Sequence, residues 1–427
     1  MLTDEKFVVK GLAGQKKLTG SIATPGAKNA VLKVLAASLL FSDEVTLTNV
    51  PEIEDVKRML ELLEDLGVVV EKQKAKTYRL VTKDILTHEI STDISKHLRA
   101  SIVLTGPLLG RLGRVTFPHP GGCVIGKRPI DFFIDSFKSL GAQIKDTGVG
   151  YDIRVTKKLI GTEIFFKNIS VTATENFMMA GVLATGTTVL KNVALEPEII
   201  SLGQFLNDCG ANISGLGTSE ITIVGGGLLS GKNKVYTTIP DRIAAGSFII
   251  LGVLAGDKIE VTGCEPKHLE SLLFLLKSAG VKLDIKKSSV IVYGAGSKLK
   301  AVDIKTHEYP GFPTDLQAPL AVLLTQSSGQ SFIFETIFEG RLNYLETLSR
   351  MEAEVKIIDA HRAFINGPKK LIGKDMSSPD LRAGLAYVLA AIVAKGVSTI
   401  HNVYFIDRGY EEIEKHLQNL GVDIKRV

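Results

Sequence analysis

At 427 residues, with 45% hydrophobic and 23% charged side chains, the chain has the length for about two to four domains and an ordinary globular balance. A net charge of only +5, few aromatics and no tryptophan argue against nucleic acid held on a contiguous basic face or a stacking platform. Three cysteines without CxxC spacing argue against a disulfide framework or structural zinc. No apolar run is long enough for a membrane and no leader is visible, so the chain reads as cytoplasmic.

A strand is predicted near 17–23, and a repeat follows. Each copy reads as a helix of small residues, a strand, a second helix ending at a glycine, and further strands. In the first copy these are 28–40, 44–49 and 55–66, before Gly67. Val56, Met59, Leu60 and Leu63 have the spacing of one buried helical face, and Gly67 gives the left-handed cap signal. The second copy runs from Arg99 to Gly141 and the third from Thr174 to Gly210. The fourth runs from Asp241 to Gly280, the fifth from Asp315 to Ala353, and the sixth from Asp380 to Gly421. Short β-branched strands between helices make this an α/β protein. A unit of about 70 residues can close a core with two sisters, unlike a short solenoid repeat. The predicted layout is therefore two domains of three repeats, 24–238 and 239–427, with 1–23 joining the second.

Between strand start and terminal glycine most copies use about 21 to 23 residues, and the second uses about 26. The excess falls on Pro120-Gly121-Gly122-Cys123-Val124-Ile125-Gly126-Lys127-Arg128-Pro129. Glycine allows close approach to a ligand, and neighbouring cations lower a thiol's pKa toward the reactive thiolate. A surface loop with a small apolar Cys is the plainer reading; an insert in one copy of six favours function.

The repeat starts carry polar groups. Asp241, Asp315 and Asp380 can be plain helix caps. Lys28, Arg99 and Arg382 are cations at helix starts, which is unfavourable unless an anion lies beyond them. A second series, Arg128, Arg341 and Arg408, precedes the second helix of three repeats. Dispersed cations at matching turns suit phosphates or carboxylates on a small substrate. Other chemistries are weak. No HExxH or GxSxG occurs, and Gly225-Gly226-Gly227 lacks the lysine of a P-loop. Cys209 and Cys264 read as structural.

Four motifs carry a resemblance across essentially the whole chain. They are Gly26-Ala27-Lys28-Asn29-Ala30, the Cys123 loop through Arg128-Pro129-Ile130-Asp131, Phe312-Pro313-Thr314-Asp315, and Asp380-Leu381-Arg382-Ala383 with Asp407-Arg408-Gly409-Tyr410. The chain resembles the enolpyruvyl transferases. The resemblance implies an EPSP-synthase-like fold, a two-domain inside-out α/β barrel of six βαβαββ units, three per domain, with the active site in the cleft between domains. It implies transfer of the enolpyruvyl group of phosphoenolpyruvate to the 3′-hydroxyl of UDP-N-acetylglucosamine, releasing phosphate, through a tetrahedral intermediate and without metal or cofactor. That is the first committed step of peptidoglycan synthesis, hence a role in cell wall, cell shape and division and a fosfomycin target.

By the same resemblance Cys123 is a general acid and Asp315 the base facing the sugar hydroxyl. Lys28, Arg128 and Arg408 grip phosphoenolpyruvate, and Arg99, Arg341 and Arg382 are further cations. Asn29, Arg128, Pro129, Ile130, Asp131 and Phe132 contact the sugar nucleotide, with Ser170, Thr172 and Ile337 nearby. The chain departs from the family at Thr24-Pro25, Thr172, Leu195, Ala244 and Gly340, none of them a residue with an assigned chemical role. Two rival readings stay within reach of the sequence: a shikimate-pathway enolpyruvyl transferase, which lacks the thiol loop, and a non-catalytic paralogue that binds a nucleotide sugar.

Overall fold

The structure is a computed structural model that describes residues 5–96, 98–119 and 130–427. These residues form two compact units, one of 26–119 with 130–239 and one of 5–25 with Pro240–Val427.

Six helices organise the repeats. In the first unit they are α1 (Lys28–Ala37), α2 (Thr105–Leu112) and α3 (Val171–Leu183). In the second they are α4 (Arg242–Ala255), α5 (Gln317–Leu324) and α6 (Leu381–Val393). Each lacks a polar stripe, and a helix apolar all round belongs inside a core. Every residue of α6 and every residue of α4 after Arg242 is buried. In the second unit α4, α5 and α6 pack on one another. Sheets enclose the helices, so each unit is an inside-out α/β barrel. Two central helices begin as 3-10 turns, Arg99–Leu104 before α2 and Thr314–Leu316 before α5. Pro107 and Pro319 follow at the third helical position, where a missing N–H breaks no intrahelical bond.

Five of the six sheets have four strands and one has three, among the described residues. In the first repeat Glu44–Thr48 pairs antiparallel with Thr77–Val81, which pairs with Val69–Lys74. Val45 and Leu47 face the core while Thr46 and Thr48 stay half-exposed, the period of a strand covered on one face.

Among the described residues, five of the sheets also take a lead strand, parallel to the strand that follows a central helix. In the third, fifth and sixth repeats that lead strand immediately precedes the helix: Glu163–Phe165, Ile304–Lys305 and Asp375–Ser377. The second repeat has a single parallel bridge there, Glu89 to Thr116. The first and fourth repeats exchange theirs. Leu18–Ala23, before α1, pairs with Gly256–Thr262 after α4, and Val235–Thr237, before α4, pairs with Glu44–Thr48 after α1. The chain accordingly passes between units at Pro25/Gly26 and at Ile239/Pro240. The sixth sheet has a further debt: Phe7–Lys10 lies between Val397–His401 and Asp423–Arg426, antiparallel to both.

The outer helices end as the sequence suggests. Gly67, Gly141, Gly210, Gly280 and Gly421 all have positive φ, and in the fifth repeat Glu352 takes that conformation at φ 73°. Gly26 is required for a different reason. A Cβ there would collide with the carbonyl oxygen of Asn49, whose Nδ2 donates to Thr238 O at 2.8 Å.

Candidate active site

In the second unit Asp315 sits in the turn before α5, Arg382 in the first turn of α6, and Arg341 at the start of the turn Arg341–Tyr344. Arg341 Nη2 donates to Asp315 Oδ1 at 2.6 Å and Arg382 Nη2 to Oδ2 at 2.8 Å. Both arginines are 5% exposed. Desolvation works against the Arg382 charge, but Asp315, Tyr410 and Asp241 outweigh it and hold the guanidinium above its ordinary value.

Each partner is itself held. Arg382 Nη1 donates to Tyr410 Oη at 3.1 Å, and that hydroxyl lies 3.3 Å from Ser247 Oγ on α4. Burial raises the Tyr410 phenol, so it stays protonated. Arg341 Nε donates to Thr314 Oγ1 at 3.3 Å, and Thr314 donates to Glu335 Oε2 at 2.9 Å. Glu335 Oε1 accepts the N–H groups of Ile337 and Phe338. Gln317 Oε1 accepts the buried Tyr344 hydroxyl at 2.9 Å, which fixes the Arg341 turn to α5. Asp380 caps α6 through the N–H groups of Arg382 and Ala383, and Asp241 caps α4 through those of Ile243 and Ala244.

Arg408 closes the short helix Tyr404–Asp407, two residues before Tyr410. Its neighbour Asp407 receives two bonds from Arg426, at 2.7 and 2.9 Å, and Arg426 also binds Glu414 and Glu5. The Arg408 turn is thereby fastened to the strand Asp423–Arg426.

In the first unit Lys28 opens α1, and its Nζ lies 2.7 Å from Asp55 Oδ2 in the first turn of the helix Glu54–Asp65. Asn29 follows it. Ser170 caps α3, its Oγ accepting from Ala173 N at 3.3 Å, and Thr172 lies in that first turn. Asp131 and Phe132 start the helix Asp131–Ser139 after the buried Ile130. The Phe132 ring meets Phe133 and, edge-on, Phe166. Arg99 opens its own turn ahead of α2. Cys123, Arg128 and Pro129 lie outside the described residues.

Asp315, Arg341 and Arg382 thus form one network, which Ile337 joins through Glu335. Lys28 with Asn29, and Ser170 with Thr172, form two helix-start pairs in the other unit. The anion expected beyond the helix-start cation is a carboxylate of the protein for Lys28 and Arg382: Asp55 and Asp315. Sequence reasoning missed Asp55, Glu335 and the clamping role of Tyr410. Only Tyr410 left a signal, standing inside the Asp407-Arg408-Gly409-Tyr410 motif. Ala244 is buried in the first turn of α4 and Gly340 precedes the Arg341 turn, so both departures sit beside this network.

Cys209 and Cys264 are buried free thiols, and burial pushes Cys209 up to about 11 and raises Cys264 as well. Neither is a ready thiolate. Among the described residues no cluster of His, Cys, Asp and Glu could hold a metal ion, and no helix is long and apolar enough to cross a membrane.

Residues 12–417 match the family model described as EPSP synthase (3-phosphoshikimate 1-carboxyvinyltransferase). UDP-N-acetylglucosamine 1-carboxyvinyltransferase 1 of Caldanaerobacter subterraneus subsp. tengcongensis is 43% identical over 99% of both chains. UDP-N-acetylglucosamine 1-carboxyvinyltransferase of Desulforapulum autotrophicum is 44% identical over 97% of this chain and 99% of its own. Among solved structures, the enolpyruvyl transferase NikO from Streptomyces tendae superposes with a TM-score of 0.88 at 23% identity, covering 99% of each chain. EPSP synthase from Acinetobacter baumannii reaches 0.74 at 18% identity, over 99% of this chain and 100% of its own. These two likenesses speak for the fold, and the full-length relatives for the branch: the chain is a transferase that belongs to the enolpyruvyl transferase family, among the UDP-N-acetylglucosamine 1-carboxyvinyltransferases.

Proposed function

We propose that this enzyme transfers the enolpyruvyl group of phosphoenolpyruvate to the 3′-hydroxyl of UDP-N-acetylglucosamine, with release of phosphate, as the first committed step of peptidoglycan synthesis. The observation that carries the reading is the Asp315 carboxylate fixed between two buried guanidiniums at a helix start.

The sugar oxygen bonds to C2 of phosphoenolpyruvate while the C2–C3 double bond takes a proton at C3, giving a tetrahedral phospho-ketal. Loss of a proton from C3 then re-forms the double bond, and the C2–O bond to phosphate breaks. Asp315 accepts the hydroxyl proton in this scheme. Both its oxygens are engaged by arginines, so an incoming hydroxyl competes with one of them, and the remaining contacts keep the carboxylate aimed. Cys123 supplies the proton to C3. Lys28, Arg128 and Arg408 hold the phosphate and carboxylate, whose charges suit two or more cations. Asn29, Arg99, Ser170 and Thr172 seat the nucleotide sugar, with Pro129, Ile130, Asp131, Phe132 and Ile337 around it.

Phosphate release from phosphoenolpyruvate, assayed with UDP-N-acetylglucosamine and separately with shikimate 3-phosphate, tests the reading. Release with the nucleotide sugar alone is expected, and no release with it would sink the proposal. Peptide mapping after brief fosfomycin treatment should place the label on Cys123, since Cys209 and Cys264 are buried with raised pKa values.

A further inference from the structure

Two charged side chains deep in the unit of residues 26–239 take no part in that chemistry. Lys33 lies on α1, and its side chain is 8% exposed; Glu175 lies on α3, and its side chain is fully buried. Lys33 Nζ is 3.2 Å from Glu175 Oε2 and donates to the carbonyl of Asn29 at 2.9 Å. Among the described residues, Lys33 is the ion-pair partner of Glu175, and no well-aligned hydrogen bond reaches either carboxylate oxygen.

As a stability device this pair makes little sense. Desolvating two charges costs several kcal/mol, and apolar side chains of similar volume often hold a core as well or better. The residue next along α3 makes its tie without burying a charge. Asn176 Oδ1 accepts from Gly106 N at 2.9 Å and from Thr105 Oγ1 at 3.3 Å, a neutral tie to α2.

The location of the pair gives it a purpose. The turn at Arg99 and the helix Pro197–Asp208 each pack against both α1 and α3. Lys28, Asn29, Arg99, Ser170 and Thr172 all stand at the starts of α1, that turn and α3. Lys33 and Glu175 join the two helices about one turn beneath those residues, and Lys33 grips the Asn29 carbonyl directly.

We infer that Lys33 and Glu175 are positioning residues whose buried ion pair ties the first turn of α1 to the first turn of α3 and so sets the seat of the nucleotide sugar. The inference rests on the nucleotide-sugar reading above. The tie is sensitive to pH. Burial pushes the Glu175 carboxyl up to about 8; Lys33 opposes this, and Glu198 and Glu196 add to it. Four groups therefore face or influence Glu175: Lys33 from α1, Glu196 and Glu198 around the start of Pro197–Asp208, and Tyr236 from Val235–Thr237. Tyr236 is itself pushed up to about 12 and stays neutral through this range.

Three proteins test it: the wild type, Glu175→Gln, and the double variant Lys33→Met with Glu175→Leu. Phosphate release is followed between about pH 6 and 9 with varied UDP-N-acetylglucosamine. Wild type and Glu175→Gln should share one KM at low pH and separate as the pH passes about 8. The wild-type KM should fall roughly threefold or more while kcat stays within about twofold. The double variant should melt no lower than wild type yet follow the Gln curve, which separates positioning from folding. Amide exchange in peptides covering 26–37 and 170–183 should be faster in both variants at the higher pH. Superimposable KM profiles for all three proteins would overturn the inference. If neither acceptor is turned over, the functional reading alone has failed, and exchange decides the tie: faster exchange supports it and unchanged exchange overturns it.

Discussion

Both units bury charge near the heads of their central helices, but on different terms. Around Asp315 every charged group has several partners: two guanidiniums on one carboxylate, a tyrosine and a threonine behind them, and Glu335 behind the threonine. Around Glu175 there is one ammonium, with two further acids close enough to oppose ionisation. A saturated network in a low dielectric is rigid, and a half-satisfied one is costly and responsive. The difference suggests a division of labour, with a carboxylate aimed at chemistry in one unit and an adjustable tie under a binding surface in the other.

Substitutions can break this contrast. The largest effect is expected from Asp315→Asn, which keeps the shape and removes the proposed base. Turnover should fall about 10²- to 10⁴-fold in a phosphate-release assay, and a loss below about tenfold would refute the role. Arg382→Met comes next, because it strips one buried guanidinium from the half-buried Asp315 carboxylate and one donor from Tyr410. A cost of about 1.5 to 3 kcal/mol is expected in denaturant unfolding, since Asp315 keeps Arg341 and some contact with solvent. Should the network tolerate the change at little cost, it is not saturated in the sense argued.

A smaller effect sharpens the other side. Between the ordinary carboxyl value of 4.5 and about 8, folded Glu175 retains a proton that the unfolded chain has released. The folded state then binds more protons, so stability declines as pH rises across that window. Glu175→Gln lacks this term. Its melting temperature, which reports global unfolding, should match wild type near pH 5 and exceed it above about pH 8, whereas the faster exchange expected at 26–37 and 170–183 reports local opening of the helix starts. Parallel melting curves at all pH values would mean that Glu175 does not titrate there. The smallest effect is expected at Glu352, a non-glycine residue at φ 73° where five sister repeats have glycine. Glu352→Gly should raise stability by about 1 kcal/mol or less, with activity unchanged.

Much of the architecture is legible because helical period, strand alternation and terminal glycines recur at one spacing. The central helices betray themselves by lacking a polar face, as in the run from Ile243 to Ala255. The exchange of lead strands is only half visible, since a three-residue strand such as Val235–Thr237 has little pattern of its own. Candidate site residues can be named one by one from motifs, but their grouping cannot. Asp315 meets partners 26 and 67 positions away, and no local spacing encodes that. Asp55 is hidden for the same reason, reading as an ordinary acid in a helix first turn. Lys33 and Glu175 did leave a trace. Each is a charge in a stretch otherwise fit for a core, Lys33 among Val31, Leu32, Val34 and Leu35, and that mismatch is what a sequence reader should pursue.

The placement of Phe7–Lys10 has a consequence for how the protein is made. The stretch 26–239 is contiguous and has all its own strands before residue 240 leaves the ribosome, so it can fold on the nascent chain. The other unit is bound to wait. Its sixth sheet needs Phe7–Lys10, made before the 26–239 stretch, and Asp423–Arg426, made well after it, with a closure that runs from one to the other around that whole unit. Through most of translation, Phe7–Lys10 and Leu18–Ala23 are strands without neighbours, and the cell must keep those edges from pairing elsewhere.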